Sequence, residues 1–588
     1  MIALEKEPAE GIFRKPFLIA GATKKMALTY IVGTVCAATV TIVDSLIAGV
    51  SIGQEALAAI AAAGPLLTLD QILHCLLGFG IDKLMVQAIG KGDRKKANRI
   101  FGAVLIAVPI TYALVFGILI LIERPLLLSI TGDNNLVDMI VRYTVPLFIF
   151  SPFAETFLCI ERAFRIDGRA KLFSKRAIVT NLANIVFDIL MVTVLNLGIS
   201  GLAWASVIST TIGFSITLSH FFSKKRTISP DFSVIRSRKE LIDYVRQDIR
   251  LGRSATLDEV LDGVALSAQT AAIGAVGGVG GLAIWTVFKS LQGIMVSVGN
   301  GISASVSVHT GLLYGQGDYD GVRYSVWSGI RLALITSLIV ITIILLFAKP
   351  IAEAYSISQD LQQLCARYLR LGCMAFPAVI FLNITTTYLP SVNKPKLASR
   401  LVLLEHGLVI VSASIGYATG PLVFIVTYVL AVWTTSTIVA ILLVRDRFWF
   451  VPERNPESIA GYSIQLAPDQ IDDVGNDLKS QLDRRAYPAH FCFRVSLVIE
   501  ESMSYIAQHN VDAILDADIE LRQHEDGVIV TITDGGVPYN PLAETTTRDF
   551  TKACVLEKVI FLGLSEYVDY DRVLDLNRMQ LYLEPSET

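Results

Sequence analysis

The chain has 588 residues, 53% of them hydrophobic and 18% charged, with a mean hydropathy of +0.56 and a net charge of −3. Soluble globular domains carry about 25% charged residues, so these figures exclude a wholly water-soluble protein and put much of the chain in lipid. The charge is also unevenly divided: residues 451–588 hold 25 acidic and 11 basic residues, against 28 and 39 before them, which argues for two domains in different surroundings.

Residues 1–25 mix charges throughout and lack a compact apolar stretch followed by a small-residue cleavage site. They read as a cytoplasmic N-terminal segment with no cleaved signal peptide. Between Met26 and Val444, apolar runs of about 20 residues, the length that spans a bilayer, recur about twelve times. Six fall in a first lobe, 26–222 (26–49, 55–88, 100–122, 136–160, 172–196, 199–222). Six fall in a second lobe, 254–444 (254–276, 282–312, 324–347, 360–387, 397–419, 421–444), and residues 223–253 form a cytoplasmic loop between the lobes. Lys and Arg gather in alternate connections, such as "GKGDRKKANR" and "ERAFRIDGRAKLFSKR", while "LNLGIS", "GGVGG" and "ATGP" carry none. The positive-inside rule then puts both termini in the cytoplasm, and the expected location is the cell (inner) membrane.

The two lobes repeat. Gly90 and Asp93 recur as Gly315 and Asp318, Pro125 as Pro350, Arg142-Tyr143 as Arg367-Tyr368, Pro152 as Pro377 and Lys171-Leu172 as Lys396-Leu397, always at an offset of 225 residues. With an even number of spans per copy, both copies enter the membrane from the same side, so the repeat is parallel. The seven cysteines show no CxxC pair or metal spacing and read as small apolar residues.

"TIVDSLIAGVSIGQEALAAIAAAGP", "GFGIDKLMVQAIGKGD" and "RIDGRAKLFSKRAIVTNLANIVFDILMVTVLNLGISGLAWASVIS" resemble multidrug and toxic compound extrusion (MATE) transporters. The resemblance covers about residues 20–450 and implies a twelve-helix exporter working by alternating access, coupled to inward flow of H⁺ or Na⁺. Ionisable groups inside lipid are costly and mark function by default. Asp44 lies on the first span, and Asn184 and Asp188 share one face of the fifth. These three match the family's N-lobe cation pattern, an aspartate in span one with Asn-x-x-x-Asp in span five. Gln269 stands at the repeat position of Asp44, and "SATLDEVLDGVALS" supplies Asp258, Glu259 and Asp262 instead. Asp262, ten residues after Gly252, resembles the acidic span-seven position of sodium-coupled members. Asp70, Asp82, Glu155 and Glu405-His406 either line the substrate path or pair internally, and His74 and His309 read as packing residues.

After a linker at 445–456, residues 457–588 change to a soluble α+β pattern. "YSIQLAP", "DADIELRQH", "GVIVTITDGG" and "NRMQLYLEP" read as strands, and "QIDDVGNDLKSQLDRRA" and "FRVSLVIEESMSYIAQHN" as amphipathic helices. The helix followed by "TDGGVPYNP" resembles the ATP-binding fold of anti-sigma-factor kinases, within the histidine-kinase-like ATPase (HATPase) group. That resemblance implies a catalytic glutamate at Glu501 and an adenine-facing turn at Asp534 and Gly536. The asparagine that would bind Mg²⁺ is replaced by Tyr505, and no glycine lid follows. This reads first as a regulatory or protein-binding domain, then as a nucleotide sensor without hydrolysis, and last as an active kinase.

The expected architecture is an all-α polytopic membrane protein with a C-terminal cytoplasmic HATPase-like domain. Its expected function is H⁺- or Na⁺-coupled export of a small cationic or amphipathic molecule, with no enzyme activity, required cofactor or structural metal. Membrane lipids and a cytoplasmic regulatory protein at 457–588 are the expected partners, with no nucleic acid. The alternatives are a lipid-linked saccharide flippase of the same superfamily and a membrane-tethered signalling protein.

Overall fold

The computed structural model describes residues 17–52, 54–131, 133–166, 170–222, 228–355, 357, 359–446, 449–452, 457–510, 515–524, 527–542 and 553–585, with part of the side chains between 37 and 61 left aside. Most of residues 1–25, the middle and end of the 445–456 linker, and residues 543–552 lie outside them. The chain divides into two compact units. One is 23–316 with 325–451, and the other gathers 17–22, 317–324 and the described part of 452–588.

The larger unit is helical. Its first half runs α1 (Phe17–Ser51), α2 (Gln54–Gly78), α3 (Ile81–Gly90), α4 (Arg94–Thr131), α5 (Asn134–Ile166), α6 (Ala170–Asp188) and α7 (Gly198–Phe221). The second half runs α8 (Arg238–Gln316), α9 (Tyr319–Ala354), α10 (Gln359–Gly372), α11 (Phe376–Ser391), α12 (Pro395–Thr419) and α13 (Pro421–Arg445). Among the described residues, eleven spans are long and apolar enough to cross a membrane, the first of them Ala62–Gly90. The 35-residue α1 precedes these.

Local chemistry moves several expected boundaries. The second span is two helices, α2 and α3, broken around Phe79-Gly80. A Cβ on Gly80 would lie 2.4 Å from the Asp248 carbonyl oxygen, so only glycine fits there. Spans seven and eight are one helical stretch interrupted at Gly278, whose φ of 57° and ψ of −152° suit glycine alone. The same stretch begins at Arg238, so most of the expected inter-lobe loop is helix. The tenth span is split into α10 and α11 by a 3₁₀ turn at Cys373–Ala375, just before Pro377.

The repeat persists in local geometry. Gly92 and Gly317 have φ of 78° and 80°, Asp93 Oδ1 accepts from Lys96 N at 2.9 Å, and Asp318 Oδ1 accepts from Gly321 N at 2.8 Å. These are equivalent N-caps for α4 and α9. Outward-facing apolar residues also repeat: Ile110, Leu114, Ile118 and Leu121 on α4 match Ile335, Ile339, Ile343 and Leu346 on α9, all about half exposed or more. Contacts between the halves come in swapped pairs. A Cβ on Gly90 would meet Leu312 O at 2.3 Å, and one on Gly315 would meet Gln87 O at 2.4 Å. Since 312 and 315 are the repeat positions of 87 and 90, a two-fold axis passes between the halves, as a parallel repeat requires. Gly90→Ala is expected to cost about 1–3 kcal/mol by overpacking this contact, read as a lower apparent unfolding temperature of the purified protein in detergent.

The smaller unit is a five-stranded antiparallel sheet, β1 (Ser458–Gln465), β2 (Asp516–His524), β3 (Gly527–Asp534), β4 (Tyr567–Val573) and β5 (Leu576–Leu583), in the order β1-β2-β3-β5-β4. Helices α14 (Pro468–Asp483), α15 (Ala489–Gln508) and α16 (Ala553–Leu564) complete it. Val495, Ile499, Ile506, Ile519, Val530 and Leu581 are among its fully buried core. Helix α16 and strand β4 follow the turn at Asp534 where a glycine lid would otherwise stand. The "DGG" turn is no hairpin: β3 ends at Asp534 and pairs with β2 and β5.

Candidate functional site

Asp44, Asn184 and Asp188 meet. Helix α6 supplies Asn184 and Asp188 from one face, and both are buried. With its amide turned to suit its neighbours, Asn184 Nδ2 donates to Asp44 Oδ1 at 2.8 Å and to Asp188 Oδ2 at 3.3 Å. The two carboxyl groups are within hydrogen-bonding reach of each other, and Tyr143 of α5 lies in their field. Asp188 Oδ1 is buried without a hydrogen-bond partner among the described residues. Directly after Asp188 the helix widens into a π-turn, Ile189–Val194, a distortion that recurs at functional positions. The set offers several carboxylate oxygens and an amide at one buried point, a donor set that suits a proton or a small hard cation.

Asp262 belongs to a different place. It lines a cavity of about 350 Å³ in the second half, together with Asp258, Glu259, Glu405 and Lys289. His406 Nε2 lies 2.8 Å from Asp258 Oδ1, and Asn383 Nδ2 donates to Asn300 Oδ1 at 2.9 Å. Gln269 and Val409, the repeat positions of Asp44 and Asn184, line the same cavity. The second half therefore has neutral residues where the first has its acids, and its acids elsewhere. Lys289, Gln292, Asn300 and Asn383 were not singled out from sequence. Lys289 carries the one signal that could have found it, a charge inside an apolar span.

His309 behaves as a packing residue, fully buried with Nδ1 2.9 Å from Ser305 O. Asp82 and Glu155 are internally paired: Glu155 Oε2 lies 2.7 Å from His74 Nδ1, and Asp82 Oδ1 lies 3.7 Å from an Arg162 nitrogen. Arg162 had been part of a basic connection, and the structure puts it on α5, buried.

In the smaller unit, Asp534 is fully buried and its partners are all internal. Oδ1 accepts from Gly536 N and Asn577 Nδ2, both at 2.8 Å, and Oδ2 accepts from the Tyr539 hydroxyl at 3.0 Å. Burial pushes its carboxyl above the usual carboxylate range, against the pull of the Asn577, Gly536 and Tyr539 hydrogen bonds. Tyr505 packs edge-on against Tyr539 and Phe561, with centroids 5.7 and 5.4 Å apart. Tyr570 lies 5.0 Å from Tyr539 between ring centroids. Glu501 stands one helical turn before Tyr505 on α15. Among the described residues, Tyr539 stands against Asp534 and is itself packed by other aromatic rings.

A family profile described as MatE matches residues 30–190 and 266–415, two segments that end 225 residues apart. The probable multidrug resistance protein YoeA of Bacillus subtilis (strain 168) is 23% identical over 347 residues, covering 57% of this chain and 73% of that protein. An outward-facing multidrug resistance MATE family transporter of the MOP superfamily matches with a TM-score of 0.68 at 18% identity, over 75% of this chain and 99% of that one. A mutant of the Vibrio cholerae MATE transporter VcmN matches with a TM-score of 0.68 at 17% identity, over 74% and 99%. A MOP superfamily transporter from Pyrococcus furiosus gives 0.67 at 18%, over 75% and 99%. At these identities the solved structures establish a shared fold.

Proposed function

The chain belongs to the MatE family of membrane transporters, and from that premise we propose that it is a cation-coupled antiporter exporting a small cationic or amphipathic molecule by alternating access. The observation that carries this reading is the buried meeting of Asp44, Asn184 and Asp188. Two carboxylates so close in a low-dielectric site share one proton or hold one cation. Filling the site neutralises it and biases the conformation that tolerates neutrality, which is how ion entry can drive substrate exit. The acidic cavity around Asp262 supports a cationic cargo, because Asp258, Glu259, Asp262 and Glu405 outnumber Lys289. A lipid-linked saccharide flippase would need the opposite polarity to hold a pyrophosphate.

We read residues 457–588 as a cytoplasmic regulatory or partner-binding domain that neither binds ATP nor catalyses. Its support is that Asp534 is buried and already accepts from Gly536, Asn577 and Tyr539, which leaves at most one acceptor position for a ligand. Adenine recognition needs a carboxylate with a free acceptor in an open pocket.

Proteoliposomes with full-length protein and ethidium as the cationic probe test the first reading. Uptake into inside-out vesicles is expected when an outward-directed H⁺ or Na⁺ gradient is imposed. Equal uptake with and without either gradient would overturn cation coupling.

A further inference from the structure

Four helices converge on a second ionic cluster that the coupling reading does not use. His74 of α2 stands between two residues of α5: Nδ1 lies 2.7 Å from Glu155 Oε2, and Nε2 lies 2.9 Å from an Arg162 terminal nitrogen. A guanidinium nitrogen can only donate. His74 Nε2 must therefore accept, and Nδ1 must carry the hydrogen donated to Glu155. This geometry holds only for a neutral imidazole. A proton arriving at Nε2 would set two donors against each other at 2.9 Å, and Arg162 would have to leave.

Arg162 has somewhere to go. Asp82 Oδ1, on α3, already lies 3.7 Å from its other terminal nitrogen. The move crosses the break between α2 and α3. At that break a Cβ on Gly78 would sit 2.6 Å from Glu155 Oε1 and 3.1 Å from both Arg162 nitrogens. Helix α8 of the other half presses on the same break, since a Cβ on Gly80 would meet Asp248 Oδ1 at 2.5 Å and one on Gly252 would meet Cys75 O at 2.4 Å. The other charged or titratable groups facing the cluster are Asp70 and Cys75 on α2, Lys83 on α3, Tyr112 on α4, Cys159 on α5, and Asp248 and Glu259 on α8.

The repeat provides an internal control. The positions equivalent to His74, Glu155, Arg162 and Asp82 are Gly299, Ile380, Thr387 and Ser307, and none carries a charge. Gly299 and Ile380 are in ordinary van der Waals contact, with a Cβ on Gly299 lying 3.4 Å from Ile380. The same packing site thus closes in the second half without any ion. Burying charges is costly where apolar residues would serve, so the first-half cluster is not needed to hold the fold.

We propose that His74 is a proton-binding site separate from the Asp44, Asn184 and Asp188 set, and that its occupancy moves Arg162 away from His74 and closer to Asp82 across the α2–α3 break. The full-length protein in nanodiscs, labelled with ¹³C at histidine Cε1, tests this. The chain has seven histidines, and His74→Gln, or His74→Asn should the first variant not fold, assigns the resonance. The His74 signal of the wild-type protein is expected to change in a single-proton step as the pH is lowered. Arg162→Gln removes a positive neighbour and is expected to move that step to higher pH, by about one unit or tenfold in proton affinity. Hydrogen exchange of the 78–83 amides, corrected for intrinsic rates, is expected to change across the same step in the wild type and to become pH-independent in the His74 variant. A His74 signal unchanged as the pH is lowered, a step unmoved by Arg162→Gln, or exchange at 78–83 indifferent to the step would each overturn the proposal.

Discussion

Replacing either acid of the first-half site, Asp44→Asn or Asp188→Asn, is expected to lower gradient-driven ethidium transport in proteoliposomes by about one to two orders of magnitude. The scale is that of a typical coupling free energy, about 1–3 kcal/mol, which is all that ion binding can contribute to the choice between two conformations. Asparagine keeps the size and one acceptor but removes the charge that the incoming cation neutralises. Asn184 Nδ2 donates to both carboxyls, so each single variant also leaves it with a weaker acceptor. Both variants are expected to fold, because removing one of two buried acids relieves repulsion. Unchanged gradient dependence in both variants would remove Asp44, Asn184 and Asp188 from the coupling role.

The second large effect is expected in the smaller, sheet-containing unit. Tyr539→Ala deletes the ring that packs against both Tyr505 and Tyr570 and the hydroxyl that donates to buried Asp534. A loss of about 3–5 kcal/mol of local stability is expected from the cavity, read as faster hydrogen exchange at β3 and β5 in the full-length protein. Tyr539→Phe removes only the hydroxyl and should cost about 1–3 kcal/mol. Titration of the wild-type protein with ATP and Mg²⁺ is expected to show no binding tighter than about millimolar. Micromolar, magnesium-dependent heat would overturn the reading of a domain that does not bind ATP.

Asp534 also sets a pH dependence. Its folded carboxyl is held above the usual range by burial, so the folded domain binds that proton more tightly than the unfolded chain does. That contribution is fully present below the ordinary carboxylate value of about 4 and is lost as pH rises through the higher folded value. Local stability at β3 is therefore expected to fall as pH rises from about 4. Asp534→Asn should flatten that slope.

Much of this molecule could be read from its residues in order. Hydropathy runs, the alternation of basic connections and the constant offset of 225 are properties of neighbouring residues, and they required a polytopic membrane protein with a parallel repeat and an α+β tail. Asp44, Asn184 and Asp188 were legible for the same reason: a carboxylate in an apolar span has few structural excuses. Strand β4 was missed because "YVDYDRV" alternates too weakly, and it is a strand because its edge pairs with β5.

What only the tertiary structure decided is which polar groups meet across helices. Arg162 sits in a basic run and looks like a topology signal, yet the crossing of α2 with α5 turns it into the partner of His74. Asp262, at the start of a span, could as well have faced headgroups, and the packing of α8 against α12 turns it into the wall of a cavity. Asp534 fits an adenine-facing turn in sequence, while three-dimensional packing gives its oxygens to Tyr539, Asn577 and Gly536. Periodicity along a chain fixes which face of a helix is apolar. The side chain met at each crossing depends on helix register and on the position of glycine contacts, here Gly80, Gly90 and Gly315, which are set by the packed whole.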